Sequence, residues 1–376
     1  MTDIEAPIQG RIQAGNGHIV VTATPVTLDA GTASNQLSTI ARFGSGLAPY
    51  LPGKTTSSTE VVDATNQFGS QNASGVGLSI GYEARNFKAD VGTTPIGFPI
   101  ENIVGGAEYD GSVTDKVSYT LAVARRAVTD SLLSYAGAKD SGQNLEWGGV
   151  TSNGGLASIA WDDGTSGLYV NGSGQYYTGR NVEDNFAVKG GGGVYTRVYK
   201  DADQTFTVGV NTTLMHYDKN LSYFTYGQGG YFSPQQYVIL NLPIEYMGRN
   251  GQFTYDLKGS IGVQHYRLNS SPYFPTDSTL QSEAATNMDS VTTTTLDSGA
   301  IYPGQSKTGV AYSFSAVGEY QLGPQLAVGA TASLGNAYQY REWLAAVYVR
   351  YSFTKQNGLQ PFPPTPLTSP YVSLSN

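Results

Sequence analysis

Val76-Gly77-Leu78-Ser79-Ile80-Gly81-Tyr82-Glu83 decides the fold. Its large apolar side chains recur every second residue, with glycine, serine and an acid between them, which is the period of a strand rather than of a helix. The pattern returns at Val117, Tyr119, Leu121 and Val123, at Phe206, Val208 and Val210, and at Phe253, Tyr255, Leu257 and Ile261. On that last stretch Thr254, Asp256, Lys258, Ser260 and Gln264 hold the opposite face. Further copies follow at Val310, Tyr312 and Phe314, at Leu326, Val328, Ala330 and Ala332, and at Trp343, Val347, Val349, Tyr351 and Phe353. Roughly 14 such segments occur, each near the ~9–11 residues that a tilted strand needs to cross a bilayer.

Composition narrows what such a sheet can be. The 376 residues carry 29 acidic and 21 basic side chains, a net charge of −8, which speaks against a nucleic-acid binder. Charged residues make up 13 %, about half the usual quarter of a soluble domain, while there are 47 glycines and 27 tyrosines. No run of ~18 apolar residues is present, so a helical span is excluded. With no cysteine, disulfide scaffolds and thiolate chemistry are excluded too.

These features predict an all-β fold: one closed antiparallel transmembrane β-barrel of about 14 to 16 strands, its greasy face toward lipid. A sheet of that size cannot fill its own interior, so an aqueous lumen follows. Asp256, Lys258, Glu319 and Arg350 are then expected to line it. A water-soluble β-solenoid or tandem sandwich is the rival architecture. No apolar leader opens the chain, so residues 1–16 read as a linker from a missing N-terminal periplasmic region of a longer secreted precursor, with the barrel over 17–353. Residues 32 to 74 and 269 to 308, the latter with Thr292 to Thr295, read as long loops, and the first has room for a hidden strand. Residues 354–376, with Pro361, Pro363, Pro364, Pro366 and Pro370, read as an extended tail that either hangs free or folds back into the lumen.

Enzyme signatures are lacking. His18, His216 and His265 stand far apart, no G-x-S-x-G elbow occurs, and Gly190 to Gly193 lack the Gly-Lys-Ser of a phosphate cradle. Trp161-Asp162-Asp163-Gly164 reads as a turn. No catalytic residue, metal site or cofactor is expected.

Two motifs stand out. The first is Arg125-Arg126-Ala127-Val128-Thr129-Asp130-Ser131-Leu132-Leu133-Ser134-Tyr135-Ala136-Gly137, continuing to Trp147-Gly148-Gly149-Val150. The second runs Asp218-Lys219-Asn220-Leu221-Ser222-Tyr223-Phe224-Thr225-Tyr226-Gly227-Gln228-Gly229-Gly230-Tyr231-Phe232-Ser233-Pro234-Gln235-Gln236-Tyr237. With these and Gly179-Arg180-Asn181-Val182, the chain from about Gly17 to Phe353 resembles the C-terminal outer-membrane barrel of the bacterial cellulose export porin, the outer-membrane component of the cellulose synthase system. The polar stretch around 276 to 308 and the proline-rich tail depart from that pattern.

The resemblance implies a 16-stranded barrel in the bacterial outer membrane through which a nascent β-1,4-glucan leaves the periplasm. It also implies an N-terminal tetratricopeptide-repeat region of the same precursor and an inner-membrane cellulose synthase complex. A glucan offers flat sugar faces with hydroxyls around the edge, so Tyr223, Phe224, Tyr226, Tyr231, Phe232, Tyr237 and Trp147 are expected along its path. Arg125, Arg126, Asp130, Tyr135, Asp218, Lys219 and Asn220 are expected in a polar network that holds a loop or lines the lumen. The partners are therefore the glucan chain and outer-membrane lipid, with no nucleic acid, and a monomer is expected. A general diffusion porin and, behind it, an outer-membrane lipase or acyltransferase are the rival functions.

Overall fold

The computed structural model describes residues 1–32, 36–49, 69–290, 297–337, 340–356, 358 and 360–367. Thr292 to Thr295, Pro370 and parts of the loop at 32 to 74 lie outside them. One sheet of 17 strands forms the wall. Its first position is split into Thr2–Glu5 and Ile8–Ala14, both paired with Gly17–Thr32. The wall continues through Ser70–Ala84, Phe87–Thr93, Ile103–Thr114, Val117–Ala127, Leu145–Asp162, Ser166–Arg180, Asn185–Lys200, Gln204–Tyr217, Gln236–Asn250, Phe253–Leu268, Gln305–Gly323, Leu326–Ala337 and Tyr340–Tyr351. Every neighbouring pair is antiparallel.

Side-chain period then sorts the residues. Val170 is 57 % and Leu240 56 % exposed, and Leu78, Ile80, Val123, Ile244, Ile261, Val310 and Phe314 stand outward with them. Their alternate neighbours, among them Ser79, Asn171, Thr213, Asn241, Ser260 and Ser313, point inward. A belt of this size is an aggregation surface in water and the fitting surface in lipid, so the molecule is a transmembrane β-barrel.

Short turns at 15–16, 85–86, 115–116, 163–165, 201–203, 251–252 and 324–325 close one end, and the long loops gather at the other. Thr2 pairs with Asp29 at the long-loop end, whereas Tyr351 pairs with Leu326 beside the 324–325 turn. First and last strands therefore run the same way, and among the described residues no ladder joins them. Among the described residues, counting the split strand once and setting aside the short piece Ala138–Asp140 leaves fifteen wall positions.

Three expectations change. Residues 2–14 are wall strands, not a linker, because their backbone groups pair with Gly17–Thr32. The region from 269 is folded: it holds helix α1 (Ser278–Ser290) and a two-residue pairing of Ser271–Pro272 with Ile301–Tyr302, and the next wall strand already begins at Gln305. Among the described residues of the first loop, Phe43–Gly44 is a short strand, and from Ser70 the range already belongs to the wall.

Candidate transport path and its two mouths

At the long-loop end the loops fold in and make a dry core. Ser131 starts the short helix Leu132–Tyr135 with a capping box: its Oγ accepts from Ser134 N–H at 3.1 Å, and Ser134 Oγ accepts from Ser131 N–H at 2.9 Å. All four helix residues are buried. In α1, Ala284 and Met288 recur one turn apart and pack with Leu280 against Leu47, Phe274 and Tyr302. Tyr223, Tyr302 and Tyr273 form a three-ring stack, with centroids 3.6 and 3.9 Å apart. A second cluster gathers Trp147, Tyr177, Tyr217 and Tyr231, the Tyr177 and Tyr231 rings stacking at 5.2 Å. Each large apolar side chain so covered contributes about 1.5–3 kcal/mol, so the described loops pack into a plug at this mouth.

Polar groups lock one loop to the next. Asp140 Oδ2 accepts from Ser45 N–H at 2.9 Å and from Ser45 Oγ at 2.6 Å. Arg42 donates to Asp297 at 2.9 and 3.1 Å, and the Tyr273 hydroxyl donates to the same carboxylate at 2.7 Å. Asn287 Nδ2 donates to the Leu47 carbonyl at 2.9 Å. Phe43–Gly44 pairs in parallel with Phe224–Thr225. Segment 36–49 thus touches three other loops and acts as the keystone. Burial pushes the Tyr231 and Tyr273 hydroxyls up, with Asp297 adding to the rise at Tyr273.

The aromatic residues singled out from sequence are mostly this plug's own core. Trp147 is 0 % exposed, Tyr231 and Tyr237 are buried, and Tyr223 lies on Tyr302. Tyr226 sits edge-on to Trp147 at 6.1 Å, and Phe232 is edge-on to Tyr237 and Tyr266. Of the seven, Trp147, Tyr231 and Tyr237 are buried, Tyr223, Tyr226 and Phe232 are half-buried against these rings, and Phe224 is exposed.

The polar set divides as well. Arg126 points inward and grips Asp90 with two bonds, at 2.5 and 2.7 Å, whereas Arg125 points outward to Asn153, Asn102 and the Ile103 carbonyl. Adjacent residues of one strand face opposite sides, so the two arginines cannot share a network. Asp130 accepts from Phe232 N–H at 3.0 Å and so joins the two motifs. Tyr135 packs edge-on to Phe98. Asp218 lies 3.7 Å from His216, Lys219 pairs with Glu183, and Asn220 donates to the Asn269 carbonyl at 2.7 Å.

Toward the short-turn end the wall carries ion pairs. Lys258 bridges Glu245 at 3.1 Å and Asp256 at 3.2 Å, and Arg350 meets Glu319 at 3.3 Å. The same acid–glycine–tyrosine register occurs twice there. Asp162, Gly167 and Tyr195 stand abreast on three strands, as do Glu319, Gly329 and Tyr348. Each tyrosine hydroxyl donates to its acid, and an arginine two residues on, Arg197 or Arg350, pairs with the same acid. Sequence reading passed over Tyr169, Tyr195 and Tyr348, although their signal was present: each is an aromatic in phase with the small, polar face.

The tail lies along one side of this rim. Arg249 donates to the Gln360 carbonyl at 2.7 Å and lies 5.6 Å from the Phe362 ring centre. Gln360 donates to Gln321, and Arg350 to the Thr365 carbonyl. The described part of the tail thus lies against the rim at Arg249, Gln321 and Arg350. Among the described residues no group of three or more His, Asp or Glu is placed to hold a metal ion.

Comparison with known proteins bears on this geometry. The family described as cellulose synthase operon protein C C-terminus matches residues 1–354. Cellulose synthase operon protein C of Pseudomonas fluorescens is 36 % identical over 375 residues, covering 99 % of this chain and 27 % of the relative. The protein of the same name from Xanthomonas axonopodis pv. citri is 41 % identical over 309 residues, covering 81 % of this chain and 20 % of the relative. The Escherichia coli one is 33 % identical over 310 residues, covering 81 % and 26 %. The chain thus spans about a quarter of the length of these relatives. Among solved structures, one titled bacterial polysaccharide outer membrane secretin aligns at 10 % identity and a TM-score of 0.45 over 89 % of each chain.

Proposed function

The chain belongs to the cellulose synthase operon protein C family, matching its C-terminal part, and on that premise we propose that it is an outer-membrane channel that passes a nascent β-1,4-glucan from periplasm to exterior. The observation that carries the reading is the lumen wall between plug and rim. Asn171, Thr213, Asn211, Asn241, Ser260 and Ser313 offer hydroxyls and amides, while the charges at the rim are tied to one another. Such a surface exchanges hydrogen bonds with a neutral, hydroxyl-rich polymer without trapping it, which a conduit requires.

The barrel is a passive path in this reading: it has no catalytic residue, takes no cofactor, and the push comes from synthesis at the inner membrane. Long loops of membrane barrels face outside, so the plug is the exit gate and the short-turn mouth, with the tail along its rim, is the periplasmic entrance. A periplasmic region of the longer protein would hand over the polymer, and one barrel serves one chain as a monomer. Single-channel conductance in a planar bilayer tests the proposal. The expected result is a mostly closed channel whose openings are interrupted by cello-oligosaccharides more than by α-linked glucans of equal length. Openings indifferent to either sugar would favour a general porin.

A further inference from the structure

On the inner wall above the entrance, Tyr169 stands opposite Gly193 and Tyr195 stands opposite Gly167 on the neighbouring strand. Each ring lies down over the glycine that faces it. A methyl group on Gly193 would sit 2.9 Å from Tyr169 Cε1 and 2.8 Å from Asn211 Cβ, and one on Gly167 would sit 2.4 Å from Tyr195 Cζ. Only glycine leaves room for this, and the result is two rings flush with the wall instead of projecting into the bore.

Their edges carry groups that suit sugar hydroxyls. Asn211 Nδ2 donates to the Tyr169 hydroxyl at 3.3 Å, leaving its carboxamide oxygen beside the ring. The Tyr195 hydroxyl donates to Asp162, which Arg197 holds with two bonds at 2.7 and 2.9 Å. The Arg197 guanidinium lies 5.2 Å from the Tyr195 ring centre and extends that plate. Acid and base cancel, so the patch suits an uncharged ligand.

We infer that Tyr169, with Asn211 beside it and the Tyr195–Arg197 plate below it, is a stacking site for the pyranose rings of a neutral β-linked glycan in the lumen. The inference rests on the conduit reading for its substrate class. It places the aromatic contact on the barrel wall, outside the plug where the tyrosine-rich motif lies.

Saturation-transfer NMR titration of the detergent-solubilised barrel with cellohexaose provides the test. Replacing Tyr169 by Ala or by Leu, which fills the shelf over Gly193 but has no π face, should weaken binding about three- to tenfold. Tyr169→Phe should bind like the parent, and so should Tyr176→Ala, which removes an outward tyrosine of the same strand. A heat-dependent shift in gel mobility verifies that each barrel is folded. No cellohexaose binding by the parent, or parental binding by both Tyr169→Ala and Tyr169→Leu, overturns the site. Polymer release from cells that depend on the full-length protein is read separately. Binding that follows Tyr169 without any release would remove the conduit and keep the sugar site, whereas release with binding indifferent to Tyr169 would do the reverse.

Discussion

Asp140 holds Ser45 by both its backbone N–H and its hydroxyl, and so ties together two loops 95 residues apart in the chain. The other oxygen of the same carboxylate accepts from the N–H groups of Gly142 and Gln143 at 2.9 and 3.2 Å. One side chain therefore fixes both its own loop and the keystone segment.

Asp140→Ala should strip an acceptor from several buried donors and weaken the plug by about 2–4 kcal/mol. The expected result is a channel that opens far more often in planar bilayers, with heat stability of the wall unchanged. An opening frequency equal to the parent's would show that the keystone is held without this carboxylate.

Alkali should act on the plug before the wall. Tyr231, Tyr273 and Tyr302 have hydroxyls raised by burial, so they contribute stability that is present below about pH 10, the ordinary tyrosine value, and lost as pH rises through their higher ones. Absorbance of tyrosinate should therefore show a delayed class of tyrosines whose ionisation coincides with a rise in conductance. A single ordinary titration would contradict the packing.

Gly167→Ala and Gly193→Ala should each destabilise the barrel, by about 1–3 kcal/mol, because the new methyl collides with a ring. At Gly167 the collision names its own remedy, because the nearest atoms there all belong to Tyr195: Tyr195→Ala should restore much of the loss in Gly167→Ala, whereas Tyr169→Ala should restore less in Gly193→Ala, where Asn211 Cβ and the Val210 carbonyl stand as close as the ring. Urea unfolding of the detergent-refolded single and double variants measures the coupling. Strict additivity would mean that the rings do not rest on the glycines.

Leu240 and Asn241 are adjacent but face lipid and lumen respectively. Leu240→Arg should cost about 2–4 kcal/mol near the bilayer midplane, whereas Asn241→Arg should cost little because the lumen is wet. Unfolding in lipid vesicles compares them, and equal costs would misplace the belt.

Arg249→Ala should release the tail, since Arg249 holds both the Gln360 carbonyl and the Phe362 ring. A nitroxide at the exposed Pro361 should become markedly more mobile in the variant. An unchanged spectrum would assign the anchoring to Gln321 and Arg350.

How legible each part was follows from the range of the interactions that set it. The outward belt was readable because Val76, Leu78 and Ile80 need only the strand period to share a face. Helix α1 was missed although Leu280, Ala284 and Met288 carry a one-turn spacing, because the serines and threonines around them read as loop. Arg125 and Arg126 were grouped by sequence neighbourhood, which in a strand means opposite faces. Trp147 and Tyr231 were read as a path because aromatic residues among glycines suit a sugar. What buries them is contact with rings such as Phe43 and Tyr177, far away in sequence, and no local pattern encodes that.

By itself the sequence determined a lipid-facing β-barrel with a polar lumen, since alternation and composition act residue by residue and survive any arrangement of loops. Only the tertiary structure decided that the tyrosine-rich motif packs among the loops at the long-loop end and that Tyr169 and Tyr195 lie over glycines toward the short-turn end. Both depend on side chains from separate strands and loops meeting inside the barrel, where a ring's surroundings are set by what the barrel brings opposite it.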